Sequence, residues 1–177
     1  MRYVYEFTNQ RKLTKREFIQ WFQKKFLYVI RKFNMAGKDD IIVYENKGDF
    51  RGVVLENLLQ MFSNRALISI FKLPTKKKYT KKALTSTTDT EAYRMTQILI
   101  KRKVNKLKQL APVYGKEIKP LFLFLDKEVL LYAKLMNLKF KKIKEKKNKI
   151  SDFIDDLEKK HPEIKNSIIS SYLELFS

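Results

Sequence analysis

The amino-acid sequence predicts an α/β domain built on a parallel sheet, followed by a helical C-terminal extension. Three observations carry that expectation. Ile41–Leu59 reads as strand, polar turn and helix. Short apolar runs then alternate with helical periodicity as far as Leu135. Beyond the lysine-rich stretch Lys139–Lys149 only helical spacing recurs. At 177 residues, 44% of them apolar, the chain has enough material for one sizeable core.

In chain order, Arg2–Phe7 alternates as a short strand, with Tyr3, Tyr5 and Phe7 on one face. Thr14 and Glu17 form a capping box. Phe18, Trp21, Phe22, Phe26, Val29, Ile30 and Phe33 then recur at helical spacing, an aromatic stripe that reads as core. Gly37 ends the connection, and Ile41–Val43 opens a strand. A helix ends near Phe62, and Leu67–Phe71 reads as a buried strand. The basic loop Pro74–Lys82, with Tyr79 inside it, leads to a short strand at Ala83–Thr85.

A second capping box, Thr88 with Glu91, opens a helix whose apolar side carries Ala92, Met95, Ile98, Leu99, Leu107 and Leu110. Pro112 and Gly115 break it. Ile118–Leu125 is expected to be extended, and Asp126 to cap the helix containing Val129, Tyr132 and Ala133. Ser151 is expected to cap a further helix, His161-Pro162 to turn a corner, and a last helix to carry Ile164, Ile168, Ile169, Tyr172, Leu173 and Phe176.

The turn Glu45-Asn46-Lys47-Gly48-Asp49 sits where an α/β domain presents backbone N–H groups at a helix start to an anion. It has one glycine, whereas a backbone that wraps a phosphate usually needs two or more positions without Cβ. An ordinary strand–helix connection is the plainer reading. The loop's own residues leave three options open: a phosphate loop, a degenerate one, or neither.

Charge narrows the function. Lys+Arg number 39 against 19 Asp+Glu, a formal net charge of +20, which favours a polyanionic partner such as RNA or DNA. Part of that excess is also what a compositional bias toward Lys, Asn, Ile, Phe and Tyr produces. There is no cysteine, and His161 is the only histidine, so no disulfide framework, Cys/His zinc site, thiol nucleophile or Ser-His-Asp relay can be built. No apolar run reaches the ~18 residues of a membrane span, and the N-terminus lacks a signal-type apolar segment, so an intracellular soluble protein is expected.

The carboxylates Asp152, Asp155, Asp156 and Glu158 read as the solvated side of a helix, and Asp39-Asp40 precede a strand, so neither group suggests a metal or acid–base site. No catalytic residue and no cofactor-binding or metal-ligating set is expected. Three basic clusters have aromatic neighbours suited to phosphate contact and base stacking. Their candidate RNA contacts are Lys76, Lys77, Lys78, Lys81 and Lys82; Lys101, Arg102 and Lys103; and Lys141 and Lys142. Three solvated lysine-rich surfaces remain the alternative.

Several stretches, taken in order, resemble the PP-loop ATP-pyrophosphatase family that thiolates tRNA wobble uridines. Ile118–Leu135 (IKPLFLFLDKEVLLYAKL) is similar to the family's segment with a basic residue before proline and a later Glu-Val-x-x-Tyr. Asp152–Leu175 resembles its C-terminal helix pair. Thr85–Leu99 falls where the family has G-H/D-N-x-D-D-E-A; Asp89, Glu91 and Ala92 match, while Thr85, Ser86, Thr87 and Thr90 do not. Asn46-Lys47-Gly48-Asp49-Phe50-Arg51 aligns with S-G-G-K-D-S, keeping only Gly48, and Phe18–Phe33 matches the helix leading into that loop. The family's zinc-binding and sulfur-transferring cysteines are lost.

The resemblance implies a reduced Rossmann-like fold of the PP-loop, adenine nucleotide hydrolase type: residues 1–36 as strand and lead-in helix, 37–138 as the α/β domain, and 139–177 as lysine-rich hinge and C-terminal helices. It further implies a diverged, non-catalytic, cytoplasmic subunit. Its partners would be a catalytic PP-loop thiolase paralogue, tRNA and, through the paralogue, a ubiquitin-like sulfur carrier. The loop Asn46, Lys47, Gly48 and Asp49 would be degenerate, and no cofactor would bind. Two alternatives stand beside this: a free-standing RNA-binding or ribosome-associated protein, and a residual ATP-dependent adenylating enzyme using Lys47 and Asp49.

Overall fold

A computed structural model describes residues 2–142 and 148–176. Ile143–Lys147, inside the expected lysine-rich hinge, lie outside the described residues. Strands β1 (Tyr3–Glu6) and β2 (Lys12–Thr14) pair antiparallel and lead directly into helix α1 (Lys15–Lys32). α1 starts at the expected capping box: the Thr14 side chain accepts from the Glu17 N–H, and the Glu17 carboxylate accepts from the Thr14 N–H at 2.8 Å. Arg31 and Lys32 in its last turn complement the helix dipole.

The main sheet comes next: β3 (Ile41–Tyr44), α2 (Phe50–Ser63), β4 (Ser69–Lys72), β5 (Lys81–Ala83) and α3 (Thr88–Ile100). After a 3-10 helix, Val104–Leu110, come β6 (Val113–Tyr114), β7 (Glu117–Ile118) and α4 (Asp126–Leu135). Strand order is β4-β3-β5-β7-β6, parallel except for the β6–β7 hairpin at one edge. Helices α5 (Lys149–Lys160) and α6 (Ile164–Phe176) close the chain. This is the mostly parallel α/β, Rossmann-like fold expected from the sequence. β3 sits inside the sheet between β4 and β5 with Ile42, Val43 and Tyr44 buried, which is why its apolar run is continuous rather than alternating.

The aromatic stripe of α1 is core. Phe18, Phe22, Phe26 and Val29 are fully buried among Ile42 of β3, Val54, Leu55, Leu58 and Leu59 of α2, and Val129, Tyr132 and Ala133 of α4. Phe22 stacks on Tyr132 at 4.3 Å and 15°. Each such side chain contributes about 1.5–3 kcal/mol on burial. A second cluster joins Met95 of α3, Leu107 and Leu110 of the 3-10 helix, Phe122, and Ile169 and Tyr172 of α6.

Several local expectations are corrected. Leu67–Phe71 is not a buried strand: β4 is an edge strand, and Leu67 is 69% exposed. The strand expected at Ala83–Thr85 begins earlier, so Lys81 and Lys82 lie in β5 rather than in the loop. The α3 cap is Thr87 with Thr90, one residue before the expected pair. The long helix through Leu110 stops at Ile100, because Arg102 turns at φ 53° and the chain resumes as a 3-10 helix.

Ile118–Leu125 is extended only to Ile118. Two turns, Phe122 N–H to Lys119 O and Phe124 N–H to Leu121 O, then bury Leu121, Phe122 and Phe124. Leu125 occupies the cap position of α4, leaving Asp126 inside the first turn with its carboxylate available to a distant partner. Asn148, not Ser151, caps α5, accepting from the N–H groups of Ile150 and Ser151 at 3.0 Å. The three-residue β2 and the two-residue β6 and β7 have too little pattern to register as strands in the sequence.

Candidate functional site

The chain leaves β3 through α2 toward β4 on one side, and leaves β5 through α3 toward β6 and β7 on the other. The carboxyl ends of β3 and β5 therefore form the topological switch point, where open α/β sheets bind ligands. A cavity of about 220 Å³ lies there, lined by Glu45, Lys47, Asp49, Lys82, Ala83, Leu84, Thr85 and Ser86.

Two N–H groups of the turn, those of Gly48 and Gly52, are taken by the turn's own side chains. The Asp49 side chain accepts from the Gly52 N–H at 2.9 Å, so its carboxylate takes the position an anion would occupy at the start of α2. Asn46 Oδ1 accepts from the Gly48 N–H at 2.8 Å, and the Asn46 amide donates to Glu56. Glu56 also accepts from the Tyr44 hydroxyl at 2.8 Å, and burial of that phenol, with Glu56 beside it, pushes its pKa up. A Cβ on Gly52 would stand 2.7 Å from Asn46 Oδ1 and 2.9 Å from Asp49 Oδ1, a measure of how closely those side chains fill the turn. Gly48, at φ +83°, supplies the left-handed residue and passes its carbonyl to the Lys141 N–H at 2.7 Å. The turn is self-occupied, with Glu45 and Asp49 adding negative charge where phosphate would go.

Of the basic candidates, the fold gathers three at this end of the sheet. Lys82 lines the crevice together with Lys47, and Lys141 lies against Gly48, with exposed Lys142 next in the chain. Lys76, Lys77 and Lys78 are exposed in the connection that starts where the Leu73 N–H meets Tyr44 O and ends where the Thr80 N–H meets Ile41 O. That connection runs from the crevice end of the sheet to the opposite end, and Lys77 sits over the Phe71 ring at 4.3 Å. Lys81 lies near Asp40. Lys101, Arg102 and Lys103 are exposed but remote: the 13 residues of α3 carry them about 20 Å from the crevice.

Beneath the crevice runs a polar chain that no short motif reveals. Arg51, in the first turn of α2, makes a two-pronged contact with Asp126, Nε donating to Oδ1 at 2.8 Å and Nη2 to Oδ2. Asp126 Oδ1 also accepts from Thr87 Oγ1 at 2.8 Å, and the Asp126 N–H donates to Asp89 Oδ2 at 2.7 Å. Lys165 of α6 completes the chain, donating to Asp89 at 2.7 Å and Asp155 at 3.0 Å and pairing with Glu158 at 2.7 Å. Asp155 and Glu158, read from the sequence as solvated, are thus half-buried ion-pair partners. Burial and the Asp126 carboxylate push the Asp89 carboxyl up, against the opposing Lys165 and Asp126 hydrogen bonds.

Glu91, fully buried, accepts from Lys119 at 3.0 Å and from Arg94 at 2.9 Å. Asp89 and Glu91 therefore hold α3 to its neighbours. Among the described residues no group of three or more His, Asp or Glu side chains is placed to hold a metal ion, and no helix is long and apolar enough to cross a membrane.

No protein-family model matches the sequence, and no curated protein matches it. Among solved structures, the fold is similar to that of the U34-tRNA thiolase NcsA from Methanococcus maripaludis, determined with its 4Fe-4S cluster. The TM-score is 0.76 at 19% identity, over 98% of this chain and 84% of that one. A cluster of that kind is held by cysteine thiolates, and this chain contains none.

Proposed function

We propose that this chain is a non-catalytic subunit of a complex that 2-thiolates the wobble uridine of tRNA. It would pair with a catalytic PP-loop paralogue and help to hold the tRNA. One observation carries the reading: on a fold shared with a U34-tRNA thiolase, the helix N-terminus at the switch point is capped by the chain's own Asp49, and Asn46 takes the Gly48 N–H. A subunit that keeps the scaffold and gives up the nucleotide accounts for both facts.

Because the chain has no cysteine, this reading assigns persulfide chemistry, and with it a ubiquitin-like sulfur carrier, to the catalytic partner. The charge of +20, with Lys47, Lys82 and Lys141 gathered at the crevice mouth, supports a role in binding tRNA phosphates. Depleting the protein from its native cell should lower 2-thiouridine at position 34, measured by mass spectrometry of tRNA nucleosides. Unchanged 2-thiouridine overturns the reading. Calorimetry should register no heat when Mg-ATP is added to the purified chain. A saturable isotherm would instead favour a residual adenylating enzyme.

A further inference from the structure

We infer that the groove between α3, the 3-10 helix and α6 is a protein-docking surface whose partner is an acidic amphipathic helix. It holds about 340 Å³. Its floor on α6 is a stripe at helical spacing, Ile164, Ile168, Tyr172, Leu175 and Phe176, facing Leu99 of α3 across the groove. That stripe runs the length of α6, about 18 Å or three turns, longer than the roughly 10.5 Å over which a bound helix presents i, i+3, i+4 and i+7 anchors.

The surface is unusually apolar for exposed residues. Leu99 is 54% exposed, Leu175 78% and Phe176 40%, and beside them Ile100 and Val104 stand at 60% and 54%. No lining residue is charged, and the Tyr172 hydroxyl already donates to Leu107 O at 2.9 Å. A contiguous exposed patch of this kind marks an interaction site.

Charge selects the occupant. The α3 side of the groove is followed by Lys101, Arg102, Lys103 and Lys106, all exposed, against two exposed acids along α6, Glu163 just before Ile164 and Glu174 near its end. An acidic helix meets this rim favourably. A second copy of a chain with net charge +20 would bring two cationic rims together. RNA would satisfy the rim and leave the apolar floor in water. The Lys101–Lys103 cluster, remote from the crevice, thereby has a partner of its own. The docking surface stands whether or not the protein serves tRNA thiolation.

The test uses the full chain and fluorescence anisotropy with two labelled synthetic peptides. One is a glutamate-rich helix with leucines at i, i+3, i+4 and i+7; the other has the same composition with the leucines scattered around the helix. The striped peptide should bind at least about tenfold tighter than the scattered one. Leu99→Glu and Leu175→Glu, both at exposed positions, should each weaken it by a similar factor without lowering the melting temperature. Lys101→Glu with Lys103→Glu should weaken it most at low salt.

Equal binding of the two peptides, or an affinity unmoved by Leu175→Glu, overturns the inference. So does a dimer in sedimentation that Leu175→Glu dissolves, which would make the occupant a second copy. A loss of tRNA binding on Lys101→Glu with Lys103→Glu, with peptide binding unchanged, assigns the rim to RNA and also overturns it.

Discussion

Lys165 Nζ lies 2.7 Å from Asp89 Oδ1, tying α6 to the first turn of α3 across 76 positions of sequence. The Lys165 side chain is 4% exposed and faces Asp155 and Glu158 as well. One ammonium group therefore ties both C-terminal helices to the start of α3, beside the apolar cluster of Met95, Ile169 and Tyr172.

Replacing that ammonium should be costly. Lys165→Met removes the cation that Asp89, Asp155 and Glu158 share and should destabilise the fold by about 3–5 kcal/mol in urea titrations. Burial opposes the charge on Lys165. Hydrogen bonds with Asp89, Glu158 and Tyr93 outweigh it and hold the group above its ordinary 10.5. A lysine raised on folding contributes fully below its unfolded value and loses that contribution only as pH climbs through the folded one. The gap between wild type and Lys165→Met should thus be flat from neutral pH up to 10.5.

The pair Glu91–Lys119 predicts a non-additive result. Lys119 is pushed below its usual range by burial, with Glu91 opposing. Lys119→Met alone strands the fully buried Glu91 beside half-exposed Arg94, at a cost of about 3–5 kcal/mol. Adding Glu91→Leu should recover most of that deficit, because an apolar pair of similar volume has no charge to desolvate. A double variant as unstable as the sum of the singles would contradict this.

Gly52 predicts a change of sign. Gly52→Ala drives a Cβ against Asn46 Oδ1 and Asp49 Oδ1, so disruption of the cap should exceed the helix-propensity gain and destabilise by about 1 kcal/mol. In an Asn46→Ala, Asp49→Ala background the obstruction is gone, and the same substitution should stabilise by up to about 1 kcal/mol. Thermal melts of the four proteins decide it.

Asp40 predicts an acid-dependent contribution. Burial pushes its carboxyl up, and hydrogen bonds from the Gly37 N–H and the Thr80 hydroxyl, both 2.7 Å, with Lys81 nearby, bring it below the ordinary 3.8. A carboxylate lowered on folding contributes above its unfolded value and loses that contribution as pH falls through the folded one. Asp40→Asn should therefore be less stable than wild type at neutral pH, with the difference closing below pH 3.8.

Salt separates the basic surfaces. Under the proposed tRNA-holding role, Lys82→Glu with Lys141→Glu should weaken tRNA binding and reduce the slope of log K against log salt by about 0.7–0.9 for each phosphate no longer neutralised. Lys101→Glu with Lys103→Glu should leave that slope in place. Filter binding across a salt series measures both.

Residue spacing, present in the sequence by itself, determined the core elements. The periodicity of Phe18, Phe22, Phe26 and Val29 was enough to identify a core helix, and the apolar run at Ile41 a strand, because burial imposes a pattern on whichever residues meet the core. The same local chemistry made the turn at Gly48 legible as a strand–helix connection short of the glycines a phosphate loop needs. Only the tertiary structure decided that Asp49 and Asn46 occupy that turn, that Leu67 lies by an edge strand, and that Arg51–Asp126 and Asp89–Lys165 form one chain of contacts. Those pairs lie 75 and 76 residues apart. A charge in a sequence looks the same whether it faces water or a partner, and only the fold brings the partner to it.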